Sequence, residues 1–261
     1  MVDYHVHLEN GPYTLEWLSL FIETGAKRGL KGIGFVEHGH RFLEARGIVD
    51  NSWADDQCTQ RTEDFVNLVS RAKEQGYPVE ILLGVEMDFI PGKEERIAAF
   101  LKGYPWDFVL GSVHWDGQNP LDWPGLLWRE DEILPVYRKY FRLVKDMADT
   151  GLYDIAAHFD LVKVNGQRPP GIAVEEMEEV IGAVRAVARA GMAVEVSSAG
   201  LRKPVGEVYP SLEILRLIRS MEIPIVFSSD AHHPGDVGAS FDDLATHVRS
   251  AGYEIHQRIW A

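Results

Sequence analysis

His5 and His7 close an opening run, Met1-Val2-Asp3-Tyr4-His5-Val6-His7, that reads as a short strand. Side chains two apart on a strand share a face, so both imidazoles project to one side, where they can grip one metal ion. Alone, such a pair fits ordinary polar histidines as well. The other histidines shift the balance. Of ten in the chain, His5, His7, His38, His114, His158 and His232 lie at or just after the ends of apolar runs. His40 and His233 sit beside two of these, and only His247 and His256 fall elsewhere, on the last helix and the tail. Substitution of His256 is therefore expected to leave any activity intact.

Two carboxylates join the set. Glu86 follows the apolar run in Gly84-Val85-Glu86-Met87-Asp88, and Asp230 ends another. A buried acid without a partner is costly, and a metal ion is a suitable partner. About eight ligands exceed what one zinc or manganese ion takes, so two or three divalent ions are implied. Nitrogen and oxygen donors fit zinc, manganese and iron alike. A carboxylate can bridge two ions, and Glu86 is the expected bridge.

These residues need elements that bring them together. After the loop Asn10-Gly11-Pro12, a helix is expected over Leu15–Arg28, capped by Thr14 and ended by Gly29. Short apolar runs, read as buried parallel strands, span Lys31–Val36, Val79–Val85, Asp107–Val113, Asp154–Ala157, Met192–Val196 and Ile223–Phe227. They deliver His38, Glu86, His114, His158, Ser197-Ser198 and Asp230-Ala231-His232 respectively. Helices are expected near Gln57–Gln75, Lys93–Leu101, Asp131–Ala148, Val174–Arg189, Ser211–Ser220 and Phe241–Ala251. Cys58, the single cysteine, falls at the start of the first of these, and excludes an internal disulfide or a cysteine-rich zinc site. Strand then helix, seven times, implies a parallel sheet with right-handed crossovers. A closed seven-stranded, TIM-like barrel is favoured, because barrel sites lie at strand C-terminal ends.

Length and charge set the outer bounds. At 261 residues the chain suits one α/β barrel domain, residues 1–261, and its composition, 46% hydrophobic and 25% charged, is ordinary for a globular protein. The formal net charge of −14 opposes nucleic-acid binding but not a small phosphorylated substrate. No apolar run approaches the roughly 20 residues of a membrane span, and the N-terminus lacks signal-peptide features, so a cytoplasmic location is expected. Oligomeric state has no signature in the sequence.

His5-x-His7, Glu37-His38, Gly84-x-Glu86, Ser112-Val113-His114, Ala157-His158-Phe159-Asp160 and Ser229-Asp230-Ala231-His232 follow one another as motifs do in the PHP (polymerase and histidinol phosphatase) family. The chain resembles that family along essentially its whole length. Ser198-Ala199-Gly200-Leu201-Arg202-Lys203-Pro204-Val205-Gly206-Glu207-Val208-Tyr209-Pro210 is similar to a segment of its histidinol-phosphatase branch. The resemblance implies a distorted (β/α)7 barrel, a trinuclear metal centre and hydrolysis of L-histidinol phosphate to L-histidinol and phosphate, in histidine biosynthesis. It makes His5, His7, Glu86 and Asp230 ligands of one ion, Glu86, His114 and His158 of a second, and His38 and His232 of a third. It also implies a further histidine in the loop after His-x-His. Here Leu8–Tyr13 holds none, and Glu9 is either its substitute or a surface residue.

Ions roughly 3.5–4 Å apart generate hydroxide from water near neutral pH, and in-line attack on phosphorus would follow. Arginine forks suit the phosphate oxygens. Arg41, Arg202 and Lys203 are the expected phosphate-binding cations, with Arg168 weaker, each being otherwise a solvent-facing charge. Asp160, Glu37, His40 and His233 are possible proton donors, and Tyr13, Trp115, Trp123 and Trp128 possible stacking surfaces. No Gly-x-Ser-x-Gly elbow, P-loop or dinucleotide fingerprint occurs. The alternatives are a phosphoesterase acting on another small ester or nucleotide, and a non-catalytic PHP scaffold.

Overall fold

The computed structural model describes residues 1–254, apart from Gln118 and Pro124. His256 lies outside the described residues.

Seven parallel strands form the sheet: β1 (Val2–His7), β2 (Gly32–Val36), β3 (Glu80–Asp88), β4 (Phe108–Ser112), then, past the hairpin of β5 (Trp115–Asp116) and β6 (Asn119–Pro120), β7 (Ile155–Ala156), β8 (Ala193–Ser197) and β9 (Ile225–Ser228). Each main strand pairs with the next of the seven in the sequence, so the sheet winds in one direction. The ring closes on a single bridge, Val6 with Ala231, where His7 N donates to Ala231 O at 2.8 Å and Ala231 N to His5 O at 3.2 Å. Closure thus falls at the C-terminal rim of β1, beside its histidines.

The helices α1 (Leu15–Lys27), α2 (Ser52–Gln57), α3 (Thr62–Lys73), α4 (Glu94–Lys102), α5 (Glu130–Asp149), α6 (Glu178–Ala190), α7 (Leu212–Ser220) and α8 (Phe241–Ser250) supply the crossovers. None is long and apolar enough to cross a membrane. The Thr14 hydroxyl accepts from Trp17 N at 3.2 Å, which caps α1 as its sequence implies.

Alternation along the strands separates two cores. Ile33, Phe35, Ile81, Leu83, Val85, Val109, Val194 and Val196 pack under the helices. Val36, Phe108, Leu110, Ile155, Ala157, Ala193 and Val226 fill the barrel itself, with Tyr4 and Leu82 against them. Phe108 is the plug. Gly34 and Gly84 make room for its ring, since a Cβ at either would lie 2.7 or 2.5 Å from Phe108 Cζ. Leu82, Gly84 and Glu86 therefore share the inward face of β3, and above the apolar plug that face turns polar.

Some boundaries differ from expectation. The helix expected over Gln57–Gln75 is α3 and starts only at Thr62, because Gln60 pairs with the loop after β2: Leu43 N donates to Gln60 O at 2.8 Å and Gln60 N to Arg41 O at 3.0 Å; the short α2 precedes it, in the stretch expected as loop. Cys58 ends α2 rather than beginning a helix. The helix expected from Val174 starts at Glu178, since Met177 is extended (ψ 134). The 154–157 strand shortens to two residues, where the backbone turns to present His158.

Candidate metal centre

β1 carries a register irregularity between Asp3 and Val6. It lets Tyr4 point into the barrel below while His5 and His7 face the cavity above. Both imidazoles are fully buried. His5 Nδ1 donates to Glu195 Oε1 at 2.6 Å, and His7 Nδ1 lies 3.4 Å from Glu37 Oε1. Carboxylates only accept, so the protons sit on Nδ1 and the two Nε2 atoms face each other 2.9 Å apart. Two ligand atoms about 2.1 Å from one ion sit roughly 3.0–3.4 Å apart, so this pair has the spacing of a chelate.

Glu86 occupies the centre. Its Oε1 lies 3.0 Å from His158 Nε2 and 3.5 Å from His114 Nε2. Its Oε2 lies 3.4 Å from His5 Nε2, 3.5 Å from His7 Nε2 and 2.7 Å from His38 Nδ1. Asp230 Oδ1 reaches His7 Nε2 at 3.4 Å and His5 Nε2 at 3.6 Å, and His232 Nδ1 lies 3.6 Å away. Glu86 Oε2, His38 Nδ1 and His158 Nδ1 are buried without an aligned hydrogen-bond partner. Polar atoms pressed together yet unbonded are what a cation between them would satisfy. Three groups of donor atoms, each within 4.8 Å, can hold an ion: His5, His7 and Glu86; His38, Glu86 and His114; His7, His38 and His232. The residues present fit divalent metal.

The backbone is held in unusual conformations here. His158 has φ 25 and Asp230 φ 49, values an L-residue adopts at a cost. Glu195 fixes the first by accepting from His158 N at 2.5 Å.

Charge follows from the crowding. Burial alone would lower His5, but Glu195, Glu86 and Asp230 outweigh it and hold the imidazole well above its ordinary value. The same contest raises His7 to about 9 through Asp230 and Glu37, and His114 to about 10 through Glu86 and Asp88. Burial opposes ionisation of Glu86 and Asp230, yet the histidines around them keep both well below the carboxylate range. Burial and the neighbouring His7 push His232 down to about 4, so it stays neutral. The acids demand positive charge, whether protons or metal.

The expected ligands, His5, His7, His38, Glu86, His114, His158, Asp230 and His232, thus meet in one place. The cations divide. Arg41 lines a cavity of about 490 Å³ with His38, His40, His114, Trp53 and Trp123. Lys203 lines a second of about 190 Å³ with Glu86, His158, Asp230 and Tyr209. Arg202 instead donates to the carbonyls of Ser229 at 2.6 Å and Asp230 at 3.3 Å, bracing the loop that presents Asp230. Arg168 is paired with Glu207. Of the proton donors, His40 faces the larger cavity. Glu37 is engaged by Tyr13 Oη at 2.7 Å, Asp160 by Lys163 at 2.9 Å and Ser211 N at 2.9 Å, and His233 is exposed.

Three acids went unassigned in the sequence. Glu195 holds His5 and His158, Asp88 accepts from His114 Nδ1 at 2.8 Å and lies 3.3 Å from His40 Nδ1, and Asp3 accepts from Ser229 Oγ at 2.6 Å and Gly238 N at 2.8 Å. Such partners fix the tautomer and aim of a ligand imidazole. The signal for two of them was alternation: Glu195 and Asp88 sit on the inward phase of otherwise apolar runs.

Fold and site together define a (β/α)7 barrel with a histidine–carboxylate centre suited to divalent metal at the strand C-terminal ends. The profile of the PHP domain family matches residues 3–199, and the chain belongs to that family. It is 31% identical over 254 residues to a Deinococcus radiodurans protein named probable histidinol-phosphatase, covering 97% of this chain and 94% of the relative. A Bacillus subtilis protein named histidinol-phosphatase is 27% identical over 261 residues, covering 92% and 96%. Among solved structures, the histidinol phosphate phosphatase of Lactococcus lactis, complexed with zinc, L-histidinol and phosphate, superposes with a TM-score of 0.78 at 21% identity, covering 97% of this chain and 94% of that one. That last likeness is one of fold.

Proposed function

We propose that this chain is a metal-dependent phosphomonoesterase that hydrolyses L-histidinol phosphate to L-histidinol and phosphate, acting as one cytoplasmic domain over residues 1–261. The observation that carries the reading is Glu86, whose two oxygens face different imidazole groups, His114 and His158 on one side, His5, His7 and His38 on the other. A carboxylate so placed is built to bridge. His5, His7, Glu86 and Asp230 would hold one ion, Glu86, His114 and His158 a second, and His38 with His232 part of a third. Zinc, manganese or iron suits these donors. When bound, the ions supply an activated water near neutral pH and positive charge for the phosphoryl oxygens.

The chain's own groups do the rest. Glu195, Glu37 and Asp88 hold His5, His7 and His114 in place, so little reorganisation accompanies the reaction. Lys203 and Arg41 line the two cavities from which phosphate would approach the ligands. Water adds to phosphorus as the ester P–O bond breaks, and the leaving alkoxide takes a proton. His40, in the larger cavity and with Nδ1 toward Asp88, is kept neutral by burial and is placed to relay the water's proton to that oxygen rather than to supply one. Trp53 and Trp123 offer rings to the imidazole of the substrate, and Asp122, shared by both cavities, a carboxylate to its ammonium group. The names of the relatives point to the same substrate.

Phosphate release from L-histidinol phosphate, measured beside a panel of phosphomonoesters, nucleotides and diesters with and without chelator, tests the reading. A strong preference for histidinol phosphate, abolished by chelation, is expected. Turnover of nucleotides alone moves the specificity elsewhere in the family, and full metal occupancy without turnover of any ester ends the enzymatic reading.

A further inference from the structure

We infer that Glu9 is a metal ligand, completing the third ion's site with His38 and His232. The inference rests on the metal-dependent reading above and adds a residue to it.

Glu9 lies just past β1, in the turn where Gly11 N donates to Leu8 O at 3.1 Å. His5 and His7 face the cavity, Leu8 is fully buried on the opposite side, and Glu9 returns to the cavity face. The chain therefore presents His-x-His-x-Glu along one edge. Glu9 Oε1 lies 3.4 Å from His232 Nε2, and Glu9 Oε2 lies 4.0 Å from His38 Nε2. Its carboxylate spans the gap between two imidazoles whose rings are 5.8 Å apart.

Both imidazoles offer Nε2. His232 Nδ1 donates to the carbonyl of Asp230 at 3.1 Å, which leaves a lone pair on Nε2, directed at Glu9. His38 Nδ1 faces Glu86 at 2.7 Å, which turns its Nε2 toward the same point. His7, with ring centroids 4.3 Å from His38 and 4.4 Å from His232, touches both and ties this group to the deeper residues.

The competing role for Glu9 is as counter-ion to Arg41, whose Nη1 lies 3.5 Å away. That pair is looser than the roughly 2.7–2.9 Å of a charge-assisted hydrogen bond. Arg41 has a second carboxylate beside it, Glu37, whose Oε2 lies 3.8 Å from its Nε, so Glu9 is not its sole counter-charge. A carboxylate in place of a neutral imidazole also lowers the charge of the site by one and makes its donor set harder. The third ion should then lean toward manganese or another oxygen-preferring metal.

The test is metal stoichiometry, read apart from activity. Metal-depleted wild-type protein, Glu9→Gln, Glu9→His and Arg41→Met are each titrated with Mn(II) and Zn(II), with bound metal determined by elemental analysis. Co(II) absorption reports the geometry of the last equivalent. Three ions are expected for wild type and for Glu9→His. In Glu9→Gln the third ion should be lost, or its Kd raised at least about tenfold, with the thermal transition of the loaded protein retained. Arg41→Met should keep three ions. Retention of the third ion at unchanged affinity in Glu9→Gln overturns the assignment, as does a wild-type protein that saturates at two ions while hydrolysing histidinol phosphate. A wild-type protein that binds no divalent ion removes the proposed function itself.

Discussion

At the scale of single residues, the centre depends on acids that touch no substrate as much as on its ligands. Glu86 is the clearest of the proposed ligands, since its oxygens face two histidine groups. Glu86→Gln keeps the volume but removes the charge and half the accepting capacity. Turnover should fall by on the order of a hundredfold or more, and bound metal should fall with it. An active, metal-replete Glu86→Gln protein would contradict the bridge. Glu195 makes a subtler case. Its oxygens hold His5 Nδ1 at 2.6 Å and His158 N at 2.5 Å, so it aims one imidazole and fixes the strained backbone of another. Glu195→Gln should weaken metal binding about 10–100-fold while Glu86 remains in place. Competition titration against a chelator reads this directly, and unchanged affinity would reduce Glu195 to a packing residue.

Elements act on the site through the plug beneath it. The polar layer of Glu86, Glu195 and the histidines rests on Phe108, whose ring fills the space left by Gly34 and Gly84. Gly84 lies two residues before Glu86 on the same face of β3, so pressure at the plug reaches the bridging carboxylate along the strand. A Cβ at position 84 would stand 2.5 Å from Phe108 Cζ and 2.7 Å from its Cε2. Gly84→Ala should cost about 1–3 kcal/mol from overpacking. Denaturant unfolding of the metal-free protein measures the cost, and pairing with Phe108→Leu should recover part of it. Additive losses in the double variant would place the strain elsewhere.

For the whole molecule, bound ions would be cross-links. The proposed ligands come from β1, β3 and the loops after β2, β4, β7 and β9, and the sheet closes on one bridge at the same rim. Metal that binds only the folded chain raises its stability, so chelation should lower the melting temperature. The pH dependence of the metal-free protein has a definite sign. His7 and His114, raised to about 9 and about 10, contribute stability that is complete below the unfolded value near 6.5 and is lost as pH rises through 9 to 10. Glu86 and Asp230, held low, contribute stability that is lost as pH falls through their depressed values. Metal-free protein should therefore melt lower at about pH 10 than at about pH 6.5. Metal binding near pH 8 should release protons, which calorimetry in buffers of different ionisation enthalpy detects. A flat stability profile and no proton release would mean that these histidines are neutral before metal arrives.

What the sequence determined by itself was the order of elements and the set of candidate metal-binding residues. Strand and helix alternate because apolar runs of strand length alternate with amphipathic stretches, and the candidate ligands stand out as polar groups at the ends of those runs, as at Glu86, His114 and His158. Three things waited for the tertiary structure. Glu195 and Asp88 look like stray charges until neighbouring strands bring His5, His158, His114 and His40 within hydrogen-bond reach. Arg202 reads as a phosphate-binding cation by type and loop, but three-dimensional proximity commits it to the Ser229 and Asp230 carbonyls. The facing of Glu9 toward His38 and His232 depends on where β1 closes against the segment after β9. Periodicity is a local property, and a sequence carries it openly. Which side chain meets which across the barrel depends on register, twist and closure, and those are fixed only when every strand is in place.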